Sequence, residues 1–189
     1  MRKITMLNRV SMDGFFASLN EATWGMDWFI ADPEIDRVVH ADAGQSGTLI
    51  AGGITYRGFE KSWVPFLKDP NAPPQMRAVA EELTGMTKLV FSKTLKTTTW
   101  ENTRLYDGNL IEEIRKQKQA PGEHMLILGS GTIVQQLSQE RLIDDYFFIL
   151  TPVIAGTGKP LFKDVRQLSL KLIENKSFSS GNVLLHYSI

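Results

Sequence analysis

The residues of this chain best suited to chemistry are glycines and hydroxyls placed where short apolar runs end. Gly129-Ser130-Gly131-Thr132 closes one such run and opens a stretch with helical spacing. In an open parallel sheet, ligands bind beyond the carboxyl ends of the strands, where helix N-termini offer unpaired N–H groups and a positive dipole end. Bare glycines let the backbone approach a phosphate there, and Ser130 and Thr132 add hydroxyl donors. The construction recurs twice. Gly52-Gly53 stands before Ile54, Thr55 and Tyr56, and Ser92-Lys93-Thr94 follows the run "KLVF". Lys93 in that company suits a terminal phosphate such as the 2′-phosphate of NADPH. Each feature also has a plainer use, since Gly-x-Gly makes tight turns and an exposed lysine solvates a surface. Neither Gly-x-x-x-x-Gly-Lys-[Ser/Thr] nor a full Gly-x-Gly-x-x-Gly with its distant acidic residue occurs, which argues against a P-loop kinase and an ordinary Rossmann dehydrogenase.

The elements that must position these groups follow from hydrophobic periodicity. Ile4, Met6, Leu7 and Val10 mark a first strand, followed by a turn at Asp13-Gly14 and a long loop over residues 17–30. Asp32 is placed as an N-cap before Pro33, and Ile35, Val38, Val39 and Asp42 carry helical spacing. "TLIAGG" reads as a buried strand and "ITYRGF" as the helix after it. "KLVFSK" is a further strand, and residues 107–119 form an amphipathic helix through Leu110, Ile111 and Ile114. "HMLILGSG" and "TIVQQLSQERLI" repeat the strand-helix unit. "KDPNAPP" is a surface loop entering a helix. "YFFILTPVIAG", "LSLKLIENKSF" and "GNVLLHYSI" follow with no helix between them, so the tail is expected to be antiparallel. The predicted architecture is an α/β three-layer sandwich, its mixed, mainly parallel central sheet gaining antiparallel strands at the C-terminal end.

Composition narrows the partners. The 189 residues are 42% hydrophobic, enough for a single domain over 1–189 with a substantial core. Lys plus Arg and Asp plus Glu balance at 21 each, so no global field draws the chain to nucleic acid or an anionic membrane, and a small-molecule partner is expected. The absence of cysteine excludes disulfides and thiolate chemistry, and His40, His124 and His186 lack metal-ligand spacing. No secretory leader and no apolar run near the ~20 residues of a membrane span is present, so a cytoplasmic location is expected.

The stretches "SMDGFFA", "AGGITYRGF", "FSKTL", "LILGSGTIVQQL" and "LIDDYFFILTPVIAGTGKPLF", in that order, resemble the dihydrofolate reductase-like superfamily. The likeness is greatest to the C-terminal reductase domain of the bacterial riboflavin-biosynthesis deaminase/reductase. It covers nearly the whole chain. The resemblance implies a homodimeric, NADPH-dependent reductase with its cofactor across the strand ends above. It also places Asp13 in a loop bordering nicotinamide and substrate, and makes Asp36, on the first long helix, the alternative carboxylate for proton delivery. Deamination is excluded, because the His-x-Glu and Pro-Cys-x-x-Cys signature is missing. Where the riboflavin reductase pattern carries an acidic residue before the glycine pair, this chain has Leu128, which argues against a ribosylaminopyrimidine substrate.

The expected site is then as follows. Gly52, Gly53, Thr55, Tyr56, Ser92, Lys93, Thr94, Gly129, Ser130, Gly131 and Thr132 hold the cofactor. Asp13, Trp24, Trp28 and Phe59 meet the substrate, the aromatic rings forming the wall of a flat-ring pocket. Asp13 and Asp36 are the catalytic candidates. The leading reading is hydride transfer from NADPH to a small unsaturated heterocycle, pterin-like or pyrimidine-like. A dihydrofolate reductase proper and a nucleotide-binding protein without catalysis are the alternatives.

Overall fold

The computed structural model describes residues 1–43 and 46–189; residues 44–45 and the side chains of Asp36, His40, Ala41, Asp42 and Ala43 lie outside that description. In chain order the elements are β1 (Ile4–Ser11), β2 (Phe15–Ala17), α1 (Pro33–Ala43), β3 (Ser46–Gly52), α2 (Gly53–Lys68), α3 (Pro74–Gly85), β4 (Thr87–Phe91) and β5 (Thr103–Tyr106). They continue with α4 (Leu110–Gln119), β6 (His124–Leu128), α5 (Gly131–Gln139), β7 (Asp145–Thr151), β8 (Lys159–Pro160), β9 (Lys171–Ser177) and β10 (Val183–Ser188).

Eight strands form one sheet in the order β5-β4-β3-β6-β1-β7-β10-β9. The first six run parallel. β10 and β9 join antiparallel, as the uninterrupted strands of the tail imply. β2 and β8 make a separate two-stranded ribbon. β5 was not anticipated: "TRLY" is short, lies at the sheet edge and is only half-buried, so it lacks a clear alternation.

Alternation along the strands sends neighbouring residues to opposite faces. Met6, Ile50, Leu89 and Ile127 join one core with Ile114 of α4 and Val134 and Leu137 of α5. Leu7, Leu49, Val90 and Leu126 join the other with Ile35 of α1, Tyr56 of α2 and Leu83 of α3. Each fully buried aliphatic side chain contributes about 1.5–3 kcal/mol relative to exposure. The two cores fix the helices on both faces of the sheet. Asp32 starts α1 by accepting the Glu34 N–H at 2.9 Å, as the sequence implies.

Lys88 of β4 departs from the apolar pattern. Its side chain is fully buried, and its ammonium donates to the carbonyls of Leu83 (2.8 Å), Thr84 (3.0 Å) and Met86 (2.8 Å), where α3 ends. The Trp100 ring lies 4.6 Å from that nitrogen. A helix C-terminus leaves carbonyls without partners, and this lysine satisfies them from inside the protein.

Candidate functional site

Because β1, β3, β4 and β6 are parallel, their carboxyl ends share one edge of the sheet, and a cleft of about 960 Å³ opens there. Hydrogen bonds lock the strand ends together. The Asn8 side-chain amide of β1 donates to the Gly129 carbonyl at 3.1 Å. The Gly52 N–H donates to Ser130 Oγ at 3.1 Å, and the Ser130 N–H donates to Thr55 Oγ1 at 3.2 Å. Gly129 and Ser130 both lie in the left-handed region, with φ of +61° and +52°. Glycine adopts that conformation freely, whereas for serine it costs about 1–2 kcal/mol. The bonds through Ser130 hold the strained turn in place.

Two helices start at this cleft without a side-chain cap. Neither Gly52, before α2, nor Ser130, before α5, caps its helix, and neither helix has an acidic residue in its first turn. Helix α4, whose start also lines the cleft, is the contrast. Asn109 caps it by accepting the Ile111 and Glu112 N–H groups, and Glu112 and Glu113 meet its dipole. The positive ends of α2 and α5 therefore face the cleft with neither a side-chain cap nor a carboxylate of their own helix to meet them.

Of the expected cofactor residues, Gly52, Gly53, Thr55, Ser92, Lys93, Gly129, Ser130, Gly131 and Thr132 line the cleft together. Two glycines serve the protein's own packing. A Cβ on Gly53 would stand 2.6 Å from Ser92 Oγ, and one on Gly131 would stand 2.4 Å from Cε1 of Phe16. Gly131 also has no positive φ; the left-handed glycine is Gly129. Ser92 Oγ accepts the Leu95 N–H at 3.0 Å and shapes its own turn. Lys93 is exposed at the rim. Thr94 is exposed, stands 3.4 Å from the Ser92 hydroxyl and is not part of the lining. Tyr56 lies in the core, where its hydroxyl donates to Glu60 at 3.0 Å and its ring lies 6.1 Å from that of Trp100. Burial raises its pKa.

Among the aromatic residues, Trp24 and Phe59 line the cleft and Trp28 does not. Trp28 packs edge-on against Phe29, with ring centroids 4.7 Å apart. Trp24 lies across Gly58 of α2, where a Cβ would come within 3.1 Å of the indole. A glycine inside a helix costs about 1 kcal/mol relative to alanine. Here it admits a ring.

Asp13 is exposed outside the cleft lining and ties two loops together. It accepts the Ser11 hydroxyl at 2.6 Å and the N–H groups of Ala155 (3.0 Å) and Gly156 (2.8 Å), just after β7. The Ser11 bond, followed by the backbone donors, lowers its carboxyl pKa from 3.8 to about 2. Asp36 falls on α1, but its side chain lies outside the described residues.

Several lining residues had not been singled out from the sequence. Asn8 and Arg9 are one such pair, and their polarity at the end of an apolar strand was the available signal. Met26, Phe29, Trp63, Gln136 and Lys159 reach the cleft from loops and helices whose placement only tertiary packing determines. Among the described residues, no helix is long and apolar enough to cross a membrane.

Comparison with known proteins agrees with this fold. YyaP of Bacillus subtilis (strain 168) is 28% identical over 188 residues, covering 98% of this chain and 94% of YyaP. A Shewanella sp. PV-4 protein proposed to serve riboflavin biosynthesis has the same fold, with a TM-score of 0.69, 19% identity and 98% of each chain covered. The deaminase/reductase of Thermotoga maritima, whose reductase substrate is 5-amino-6-(5-phosphoribosylamino)uracil, aligns with a TM-score of 0.67 and 16% identity, over 99% of this chain and 56% of that one. Dihydrofolate reductase from Enterococcus faecalis, in complex with NADP(H), aligns with a TM-score of 0.63 and 11% identity, over 98% and 95% of the two chains. The RibD C-terminal domain family matches residues 2–185, and with that span of the chain matched, the protein belongs to this family.

Proposed function

We propose that the protein is an NADPH-dependent reductase, working as a homodimer, that delivers a hydride to a small unsaturated heterocycle of pterin or pyrimidine type. The observation that carries this reading is the pair of uncapped helix N-termini, α2 and α5, facing one cleft, whereas the start of α4 at the same cleft is capped. The donor set fits a dinucleotide. Residues 52–55 and 129–132 would hold its pyrophosphate, and Lys93 the 2′-phosphate. NADPH bound there supplies the hydride.

The chain's own residues do the rest. Ser130 and Thr55 each use a hydroxyl oxygen to accept a backbone N–H, which leaves the hydroxyl protons for a ligand. Trp24 and Phe59 present apolar rings that exclude water and stack on a flat substrate. Asp13, its carboxyl pKa lowered to about 2 and its side chain outside the lining, holds the loop after β7.

Calorimetry with NADPH and NADH, followed by NADPH oxidation across dihydropterins, dihydrofolate and ribosylaminopyrimidines, tests the proposal. Tight NADPH binding with turnover on one of these supports it. Absence of heat and of a thermal shift at saturating NADPH would remove it.

A further inference from the structure

The cleft continues past the nucleotide-facing turns into an apolar arm on the α1–α3 face of the sheet. Its floor is Leu7 of β1 and Leu126 of β6, and its walls are Val39 of α1 against Val79, Leu83 and Met86 on the α3 side. Sheet register gives its reach. Met86 stands two residues before the row Lys88–Leu49–Leu126, and Gly129 three residues beyond it. Five residues of parallel strand span about 16 Å. This is more than a single bicyclic ring needs. At the mouth, the Trp24 indole closes down on Gly58 and presents a flat apolar wall.

We infer that the substrate is an uncharged, elongated fused-ring compound lying along this arm, not one carrying a phosphoribosyl group. An apolar floor and walls stabilise such a molecule by removing its surface from water, at about 25 cal/mol per Å². A phosphoribosyl group would lose its hydration against the same surfaces. One end of the compound points towards the turn at Gly129 and Ser130, where the pyrophosphate of a bound dinucleotide is proposed to lie. The inference rests on the reading of this cleft as a cofactor-and-substrate site.

Nile red, a neutral fused-ring dye whose emission rises in apolar surroundings, probes the arm. The expected result is saturable binding at one dye per chain, weakened at least roughly tenfold by Val79→Arg, which puts a charge on the wall, and by Ser62→Trp, which fills the mouth from an exposed position on α2. NADPH affinity measured by calorimetry is expected to stay within roughly twofold in both variants, and ribose 5-phosphate to leave the dye in place. If Val79→Arg does not fold, as judged by circular dichroism, Ser62→Trp decides. Dye binding that is absent, indifferent to Ser62→Trp, or displaced by ribose 5-phosphate overturns the inference. Dye binding that behaves as expected while NADPH fails to bind would leave the arm in place and sink the cofactor reading, so the two failures are separable.

Discussion

The Ser130 hydroxyl accepts the Gly52 N–H at 3.1 Å, joining the turn after β6 to the last residue of β3. The bond links the two uncapped helix ends, because Ser130 precedes α5 and Gly52 precedes α2. Ser130→Ala keeps the left-handed strain and removes the acceptor from a partly buried N–H, which costs about 1–3 kcal/mol. We expect a lower denaturation midpoint together with weaker NADPH binding, measured by urea titration and calorimetry. Full stability with weakened binding would mean that the serine acts on the ligand alone.

Lys93 is exposed at the rim of the cleft. If it meets the 2′-phosphate, Lys93→Ala weakens NADPH by about 1–2 kcal/mol, roughly 5- to 30-fold, and leaves NADH unchanged. Paired titrations with both nucleotides check this, and equal losses would place the lysine elsewhere.

Phe16 occupies the space that a side chain on Gly131 would need. Gly131→Ala is therefore expected to destabilise the fold by about 1–3 kcal/mol through overpacking. Phe16→Ala in the same chain should recover much of that loss, since residues in contact are not additive. Thermal unfolding of the two single variants and the double variant reads the coupling; strict additivity would show that the contact is not the cause.

That glycine also marks the limit of what the sequence made legible. Alternation at Met6/Leu7, Leu49/Ile50 and Leu126/Ile127 is local, so the strands, their two-sided burial and the α/β class could be read directly. Glycines at the ends of β3 and β6 located the cleft for the same reason: a turn and a helix start are local events. What each glycine accommodates is not local. Gly131 faces Phe16, 115 positions earlier, and Gly53 faces Ser92 across the end of β4. Tyr56 follows Thr55 in sequence, yet one hundred degrees of helix rotation turns it from the cleft into the core beside Trp100. Trp63, Val79 and Met86 reach one cleft only because α2 and α3 pack beside each other, which periodicity does not reveal.

Asp13 accepts hydrogen bonds on both carboxyl oxygens, and its pKa falls from 3.8 to about 2 on folding. A carboxyl depressed in the folded state stabilises fully above its unfolded pKa, and that contribution is lost as pH falls through the folded value. The denaturation midpoint should therefore decline between about pH 4 and pH 2, and Asp13→Asn should flatten this part of the profile. An amide nitrogen cannot accept the N–H that one of the oxygens receives, so the variant is expected to be less stable at neutral pH as well. NADPH affinity should persist, since Asp13 lies outside the cleft lining. A variant with unchanged stability and lost turnover would return Asp13 to the reaction itself.

Lys88 gives the complementary test at alkaline pH. Desolvation lowers its pKa from 10.5 to about 8, so between those values the unfolded chain binds a proton that the folded chain has released. Stability from this group therefore rises as pH increases from about 8 to 10.5, on the order of 3 kcal/mol at 1.36 kcal/mol per pKa unit. At neutral pH the ammonium still satisfies the carbonyls of Leu83, Thr84 and Met86. Lys88→Met keeps the length and apolar stem but strands those acceptors, and the expected loss at pH 7 is about 1–3 kcal/mol. The same variant should lack the alkaline rise. Urea unfolding of both proteins across this range measures the two effects at once. A variant as stable as the parent at pH 7 would show that the carbonyls find water instead, and an alkaline rise that survives the substitution would belong to another group.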